Sequence, residues 1–573
     1  MRHLEKIALA GLTGLALAAT GPAALAAGES SKAAPAVKAK PNTTITAAVT
    51  SGNYFPTSGS TALDNAIKDY FLRSSGICQA TPNVYIDGAT SLTGSDVHHT
   101  TVTCTSNASF GTVVAGTTVI GLSKESSGGS LEGTIYVARG QALPQIDPTL
   151  SITCTGAGVS VAAGTNYASQ QAYTLFTGCS TNNNASVPVA GWADEAPTAW
   201  QGFGARPITT ADISALNSDQ LVQNAFGIAV SLNLYRALQR MQGLTLGDDL
   251  ATMPSLSSSA ITAALTNQFP GWGSLTNAAG TAVNSSSFAG AKTVDSTVWI
   301  CRRGTSSGTS AWLDINFDGQ RCNAGASTGQ PNFSNKSGIC NGIPTQTPPL
   351  TPTDWGCSWD VTTNTTPPLS NEYPNLVDQV FPGAGTGDVE SCLGAHDQND
   401  DFAIGYLTTN AKFGAALSLG TSADTTDAIA TRWRFIAIDG RQPTLVNEAN
   451  GVYPYVEDDV LNTLKTASGN TAAFRTYVTS ASTGFASSNI VNDFAAHQTS
   501  SFASGTTTAD ANYYGGVLFD ALQASAGINP TPTTTAEVTT SSGSPTSSYT
   551  QLLGTPLNNC TVPTPETNVI NSN

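Results

Sequence analysis

Four short stretches collect small and hydroxyl-bearing residues where the chain would leave a strand and enter a helix. They are Ser58-Gly59-Ser60-Thr61-Ala62, Ser126-Ser127-Gly128-Gly129-Ser130, Trp192-Ala193-Asp194-Glu195-Ala196-Pro197, and Arg302-Arg303-Gly304-Thr305-Ser306-Ser307-Gly308-Thr309. Free backbone N–H groups and the positive end of the helix dipole gather at such junctions. Glycine lets an anion come close, and Ser or Thr adds a hydroxyl donor. One such loop is an ordinary cap or turn. The fourth carries more weight, because a guanidinium can fork onto two oxygens of one oxyanion. The chemistry implied is a non-covalent hold on a small oxyanion.

Other constellations compete with that reading. Gly304-Thr305-Ser306-Ser307-Gly308 fits the GxSxG elbow of serine hydrolases, with Asp388 or Asp397 and then His497 completing a Ser, Asp, His order. Two arginines between strand and serine work against the sharp turn an elbow needs, and His497 sits in a polar stretch. Asp314 to Gly319 matches the first half of a calcium loop, but Gly325 stands where a bidentate Glu is required, so a turn is expected. His98-His99 reads as a solvated pair, and Asp397, Asp400 and Asp401 as a solvated acidic turn. Trp272, Trp299 and Trp433 read as core. No metal site and no cofactor is expected.

The elements that must position these loops alternate. Strands are expected at Thr44–Thr50, Val84–Ile86, Val113–Leu122, Val294–Cys301, Phe402–Leu407 and Trp433–Ile438, and an apolar run at Ala225–Val230. Helices are expected at Ala62–Leu72, Tyr235–Gln242 and Ser257–Leu265. Strands alternating with helices argue an α/β chain with mainly parallel sheets. At 573 residues the chain is long enough for two or more cores of roughly 100–200 residues each.

Arg2, His3 and Lys6, the apolar run Ile7–Ala19 and Ala24-Leu25-Ala26 have the form of a cleavable signal peptide, so a periplasmic or secreted protein is expected. No segment is long and apolar enough to insert in a membrane. A net charge of −16 argues against nucleic acid and anionic lipid as partners. The ten cysteines, in an exported chain, imply disulfides. Sequence order suggests Cys78–Cys104, Cys154–Cys179 and Cys340–Cys357, although spacing alone leaves connectivity open.

The order of the four loops resembles that of the phosphate-binding periplasmic proteins of ABC importers. Gly59-Ser60-Thr61, Ser126-Ser127-Gly128-Gly129, Asp194-Glu195-Ala196-Pro197 and Arg302 to Thr309 follow one another as that family's motifs do. Further matches are Phe269-Pro270-Gly271-Trp272, Gly385-Thr386-Gly387-Asp388-Val389, Ala403-Ile404-Gly405-Tyr406 and Ile438-Asp439-Gly440-Arg441-Gln442-Pro443. The resemblance spans roughly residues 44–460 and implies an α/β, two-lobed type II periplasmic binding protein fold with a ligand cleft between lobes.

Residues 1–26 are expected as a signal peptide, 27–43 as a flexible lead-in and 529–573 as a Thr/Ser/Pro-rich tail, and the resemblance implies 44–221 plus 441–528 as one lobe and 222–440 as the other. The ligand would be a small phosphate-like inorganic anion, the partner an ABC transporter permease, and the protein a binder and not an enzyme. Arg303 would clamp the anion. Ser307 and Thr309 would donate, Gly308 would allow close approach, and Ser60, Thr61, Ser126 and Ser127 would donate from the other lobe. Asp194 would accept a proton still carried by the anion. The chain departs from the family at Thr305, where the motif has Asp, and in lacking Thr-Phe-Pro in the first loop. The remaining alternatives are a secreted hydrolase using Ser306 and a surface protein that keeps the fold without transport.

Overall fold

A computed structural model describes residues 43–485 and strand 517–519, apart from 46–48, 94–96, 167–169, 201–207, 249, 266–270, 291, 293, 305, 318–377, 384, 410–431, 444–452 and 481. The expected signal peptide, most of the lead-in, the tail, His497, and Cys322, Cys340, Cys357 and Cys560 lie outside the described residues.

In the first part of the chain the strands are β1 (Thr43–Ile45), β2 (Tyr54–Gly59), β3 (Asn83–Ile86), β4 (His99–Thr105), β5 (Val119–Glu125), β6 (Leu143–Gln145), β7 (Ile152–Cys154), β8 (Val159–Val161), β9 (Tyr173–Phe176), β10 (Asn182–Ser186) and β11 (Ala190–Ala193). Helices α1 (Asp64–Leu72) and α2 (Glu132–Arg139) lie among them. Helix α3 (Thr210–Ala215) then leads into a long strand, β12 (Leu216–Ser231). After it come α4 (Leu232–Met241), β13 (Ser255–Leu256), α5 (Ser258–Leu265), α6 (Ser286–Ala289), β14 (Val298–Arg303) and α7 (Gly308–Asn316). The chain continues through β15 (Asp378–Gly383), α8 (Thr386–Gln398), β16 (Ala403–Thr408), β17 (Trp433–Phe435), β18 (Ala437–Ile438), β19 (Val456–Leu464), α9 (Gly469–Val478) and β20 (Val517–Phe519).

Fourteen of these strands form one mixed sheet, ordered β15-β14-β16-β12-β19-β11-β2-β5-β4-β3-β9-β8, with β17 and β20 also paired to β12. The expectation of mainly parallel pairing is corrected. The pairs that carry the loops, β2 with β5 and β11 and β14 with β15 and β16, are parallel. Strand β4 lies antiparallel between β3 and β5, and β12 and β19 cross the molecule antiparallel to each other.

The crossing strand β12 shows how sequence sets the architecture. From Leu216 to Ala225 it pairs with β19, and from Phe226 to Val230 with β16. Its first part mixes polar and apolar residues. Its second part, Ala225–Val230, is buried on both faces and reads as a continuous apolar run. Two main cores lie on either side of that change. One gathers Phe55, Ile67, Phe71, Val84, Leu122, Trp192, Leu221, Leu461 and Phe474. The other gathers Phe226, Leu234, Trp272, Trp299, Trp312, Leu393, Ile404, Trp433 and Val456.

Several expected elements shift. Of the strand expected at Thr44–Thr50, β1 covers Thr44 and Ile45 while Val49 and Thr50 lie outside any strand, and the first strand of the large sheet is β2, buried throughout. Pro56 lies inside it, and proline is unusual in a central strand, so the run reads as loop in the sequence. The strand expected at Val113–Leu122 begins only at Val119. Asp314 to Asn316 is helix, not turn.

Two of the suggested disulfides, Cys78–Cys104 and Cys154–Cys179, are present. A third, Cys301–Cys392, joins β14 to α8 across 91 residues and was not anticipated. Among the described residues no helix is long and apolar enough to cross a membrane.

Candidate functional site

Each of the four loops follows a strand of the large sheet. Three enter α-helices, α1, α2 and α7, and the third enters a short 3-10 turn, Pro197–Trp200. Parallel pairing brings the ends of β2, β5 and β11 to one edge of the first half. The end of β14 brings the Arg302–Thr309 loop from the second half.

The two halves touch there through main chain. Leu131 N donates to Ser306 O at 3.0 Å, and a side chain placed on Gly129 would lie 3.0 Å from the same oxygen. A Cβ on Gly308 would lie 2.5 Å from Asp194 Oδ2 and 2.8 Å from Ser130 Oγ. Gly308 therefore allows the start of α7 to rest on the Asp194 loop.

Around that contact the side chains converge. Ser60 is fully buried, accepts from Leu63 N at 3.1 Å and donates its hydroxyl to Asp194. Asp194 N donates to Ser130 Oγ at 3.3 Å. Burial pushes the Asp194 carboxyl up, against the hydrogen bonds of Ser60 and Ser130 and the charges of Arg303 and Lys124. Arg303, also buried, donates to Thr61 Oγ1 at 3.1 Å and to Thr386 Oγ1 at 3.3 Å, so it spans both halves. Burial lowers its guanidinium from the usual range, while Asp194, Asp388, Tyr406 and Asp64 act to raise it. Ser307 is the buried residue that precedes α7. Thr309 is 1% exposed, and its Oγ1 finds no hydrogen-bond partner among the described residues.

Ser60, Thr61, Asp194, Arg303, Ser307, Gly308 and Thr309 are thus brought to one place. Ser126 sits at its margin, donating to Asp64 Oδ2 at 2.8 Å. Ser127 is turned away: it is exposed, and its N–H and hydroxyl both reach Glu125.

Residues not foreseen as site members hold the others in place. Lys124 is 1% exposed; its Nζ donates to Gly59 O at 2.7 Å, Ser60 O at 3.0 Å and Glu125 O at 3.1 Å, and pairs with Asp64 at 3.0 Å. It clamps the first loop from beneath. Ser130 closes the Ser-Ser-Gly-Gly-Ser stretch, and Thr386 begins α8, so both lay within motifs already visible in the sequence. Lys124 carried no such signal. Helix α2 approaches the sheet closely because Gly133 leaves room: a Cβ there would lie 2.1 Å from Trp192 O.

The competing constellations are resolved differently from expectation. Asp397 is fully buried and pairs with Arg432 at 2.7 Å, Asp401 is hydrogen-bonded to His396 at 3.1 Å, and Asp400 pairs with Lys292 at 2.6 Å. Asp397 and Asp401 are thus held inside the fold and not in a solvated turn, while Asp400 keeps a partly exposed turn position. His99 pairs with Asp87 at 2.7 Å at the start of β4, so the His98-His99 stretch is half-buried and anchored. Asp388 accepts from Gly385 N at 2.8 Å and caps α8. Both Asp candidates for a hydrolase triad are thus held in other roles. Among the described residues the Cys301, Cys392 and His396 group lies close enough to ligate a metal, but its two sulfurs are bonded to each other.

No protein-family model matches the sequence, and no curated protein matches it. Solved structures that match this chain include a candidate phosphate ABC transporter substrate-binding protein with bound phosphate from Clostridium perfringens, at 11% identity and TM-score 0.27, covering 54% of this chain and 77% of that one. An ABC-type phosphate transport receptor from Vibrio cholerae is 10% identical at TM-score 0.22, covering 49% and 69%. PstS from Borrelia burgdorferi is 8% identical at TM-score 0.20, covering 52% and 77%. All three likenesses are distant.

Proposed function

We propose that this protein binds a small oxyanion of the phosphate type between its two halves. The observation that carries this reading is Arg303: a buried guanidinium at the end of β14, reaching a hydroxyl from each half, with the buried Thr309 hydroxyl of the same loop left without a partner among the described residues. A helix start, a guanidinium and hydroxyls together form a donor set for oxyanion oxygens. Asp194 is an acceptor placed against that set, and an acceptor favours an anion that still has a proton to give over one that has none. Binding of this kind needs no covalent chemistry. In this reading the protein is exported through its signal peptide and hands the anion to an ABC permease, with closure of the halves marking the loaded state.

The test is a thermal-shift series on the oxidised protein with phosphate, sulfate, arsenate and citrate, repeated on Arg303→Ala. A ligand that binds only the folded state adds RT ln(1 + [L]/Kd), about 2.7 kcal/mol at a hundredfold excess. Phosphate should raise Tm in the wild type and not in the variant. No shift with any anion would sink the reading.

A further inference from the structure

A hydroxyl has one proton to give, and where that proton goes decides whether the side chain can hold an anion. Ser60 gives its proton to Asp194. Ser126 gives its own to Asp64 Oδ2 at 2.8 Å or to His98 O at 3.2 Å. Both serines thus direct to the protein the proton that the resemblance would direct to the ligand. Three threonines differ. Thr61 Oγ1 and Thr386 Oγ1 accept from Arg303, at 3.1 Å and 3.3 Å, and neither donates among the described residues. The buried Thr309 Oγ1 has no partner among them.

Thr386 is the threonine without a role so far. It lies in Gly385-Thr386-Gly387-Asp388-Val389, a stretch marked out by its order in the chain alone. It is the first residue of α8, a 13-residue helix capped by Asp388, which accepts from Gly385 N at 2.8 Å. Val389, Cys392 and Leu393 bury that helix in the second core, and Cys392 is bonded to Cys301 of β14. Arg303 is the last residue of the same strand. Thr386 and Arg303 therefore stand on two elements fixed to each other by packing and by a covalent bridge.

The contact between them has a chemical direction. A guanidinium only donates, so the threonine oxygens accept from it and their own protons are turned elsewhere. Thr61 takes an N–H from Nη2 and Thr386 one from Nη1, so a hydroxyl flanks each terminal nitrogen of one guanidinium. An oxyanion forked onto the end of that guanidinium lies between the two hydroxyls. A hydroxyl in that position accepts from the guanidinium and donates to the anion at once. A carboxylate there would only accept, and would repel the anion. The loop from Arg302 to Thr309 brings no acid of its own.

We propose that Thr386 is a ligand of the anion, its hydroxyl donating to an oxygen held on Arg303 from the side opposite Thr61. Ser60 and Ser126 are then positioning residues that act through Asp194 and Asp64. The assignment rests on the function proposed above and deepens it, adding the start of α8 to a site otherwise formed by four loops.

The experiment is titration calorimetry with inorganic phosphate on the full oxidised protein, comparing wild type with Thr386→Val, Thr386→Ser and Ser126→Ala. Valine keeps the shape of threonine and removes the hydroxyl; serine keeps the hydroxyl. A lost hydrogen bond to a charged group raises Kd by about tenfold or more. Thr386→Val should show that loss, Thr386→Ser should restore most of the affinity, and Ser126→Ala should lose less than Thr386→Val. Wild-type affinity in Thr386→Val, an equal loss in Thr386→Ser, or a larger loss in Ser126→Ala would overturn the assignment and leave the anion site standing.

A crystal structure of the wild type with phosphate separates contact from positioning, and it decides the matter if the valine variant does not fold. Thr386 Oγ1 should lie about 2.5–3.0 Å from a phosphate oxygen. Phosphate bound on Arg303 with no oxygen in reach of Thr386 would reduce Thr386 to a residue that orients the guanidinium. A wild type that binds no anion in the calorimeter would remove the proposed function, and this assignment with it.

Discussion

Replacing Gly308 with alanine separates the meeting of the halves from the folding of either. Gly308 is the first residue of α7, and its φ lies outside the left-handed region, so alanine fits the backbone. Helix propensity would favour the change by at most about 1 kcal/mol. The new Cβ, however, would lie 2.5 Å from Asp194 Oδ2, 2.7 Å from Asp194 Cβ and 2.8 Å from Ser130 Oγ. Asp194 is held by Ser60 and is not a flexible side-chain end, so the loops must back away from each other. Overpacking of this kind costs about 1–3 kcal/mol. On the proposed reading the clash exists only when the halves meet, so the cost falls on closure, and at about 1.4 kcal/mol per tenfold binding should weaken by roughly tenfold to a hundredfold. Titration calorimetry with inorganic phosphate measures the loss, and urea unfolding without anion is the control, expected within about 1 kcal/mol of wild type. Wild-type phosphate affinity in Gly308→Ala would refute the argument that this contact belongs to the bound state.

Two further outcomes follow from described contacts. Gly133→Ala would place a Cβ 2.1 Å from Trp192 O and 2.8 Å from Trp192 C. Backbone must move there, so unfolding stability should drop by about 2–3 kcal/mol in urea, with Asp194 displaced along with β11 and phosphate affinity reduced. The Asp87–His99 pair gives a pH signature. Burial is the largest single effect and opposes both charges, but the hydrogen bond between them and the surrounding charges, Glu125 on His99 and His98 on Asp87 among them, together outweigh it, holding His99 above and Asp87 below their ordinary values. The His99 contribution is full below about pH 6.5 and lost as pH rises through its folded value. The Asp87 contribution is present above about pH 3.9 and lost as pH falls. His99→Gln should therefore lower Tm more at pH 5.5 than at pH 8.5, on the order of the linkage expected for one buried pair.

How far the site could be read from the residues depended on the range of the interaction involved. Loop chemistry is local, so Ser60, Thr61, Asp194, Arg303 and Gly308 could be singled out by type and order, and the structure gathers them. Ser127 belongs to the same motif but turns to Glu125, because the short step back to its own strand offers a ready acceptor. What holds the loops is not local. Lys124 works through three carbonyls, two of them more than 60 residues away in sequence, and nothing in its neighbourhood marks it. Cys301 meets Cys392 across a long stretch, where nearest-neighbour pairing would choose otherwise. Strand β2 was hidden by Pro56, and Asp397 resembled part of a solvated turn because the arginine that holds it, Arg432, lies 35 residues away.

On the proposed reading, the Cys301–Cys392 bridge makes redox history part of the binding geometry. Cys301 lies two residues before Arg303, and Cys392 lies in the helix that begins with Thr386, one of the two hydroxyls that receive the guanidinium. Material made in a reducing cytosol would leave β14 and α8 joined by packing alone, with Arg303 free to settle differently. Its two cores could fold, its spectra could look native, and its response to anions could still be weak. Anion competence would then date from the moment of oxidation, later than the moment of folding, and preparations should be compared by their thiol content before they are compared by affinity.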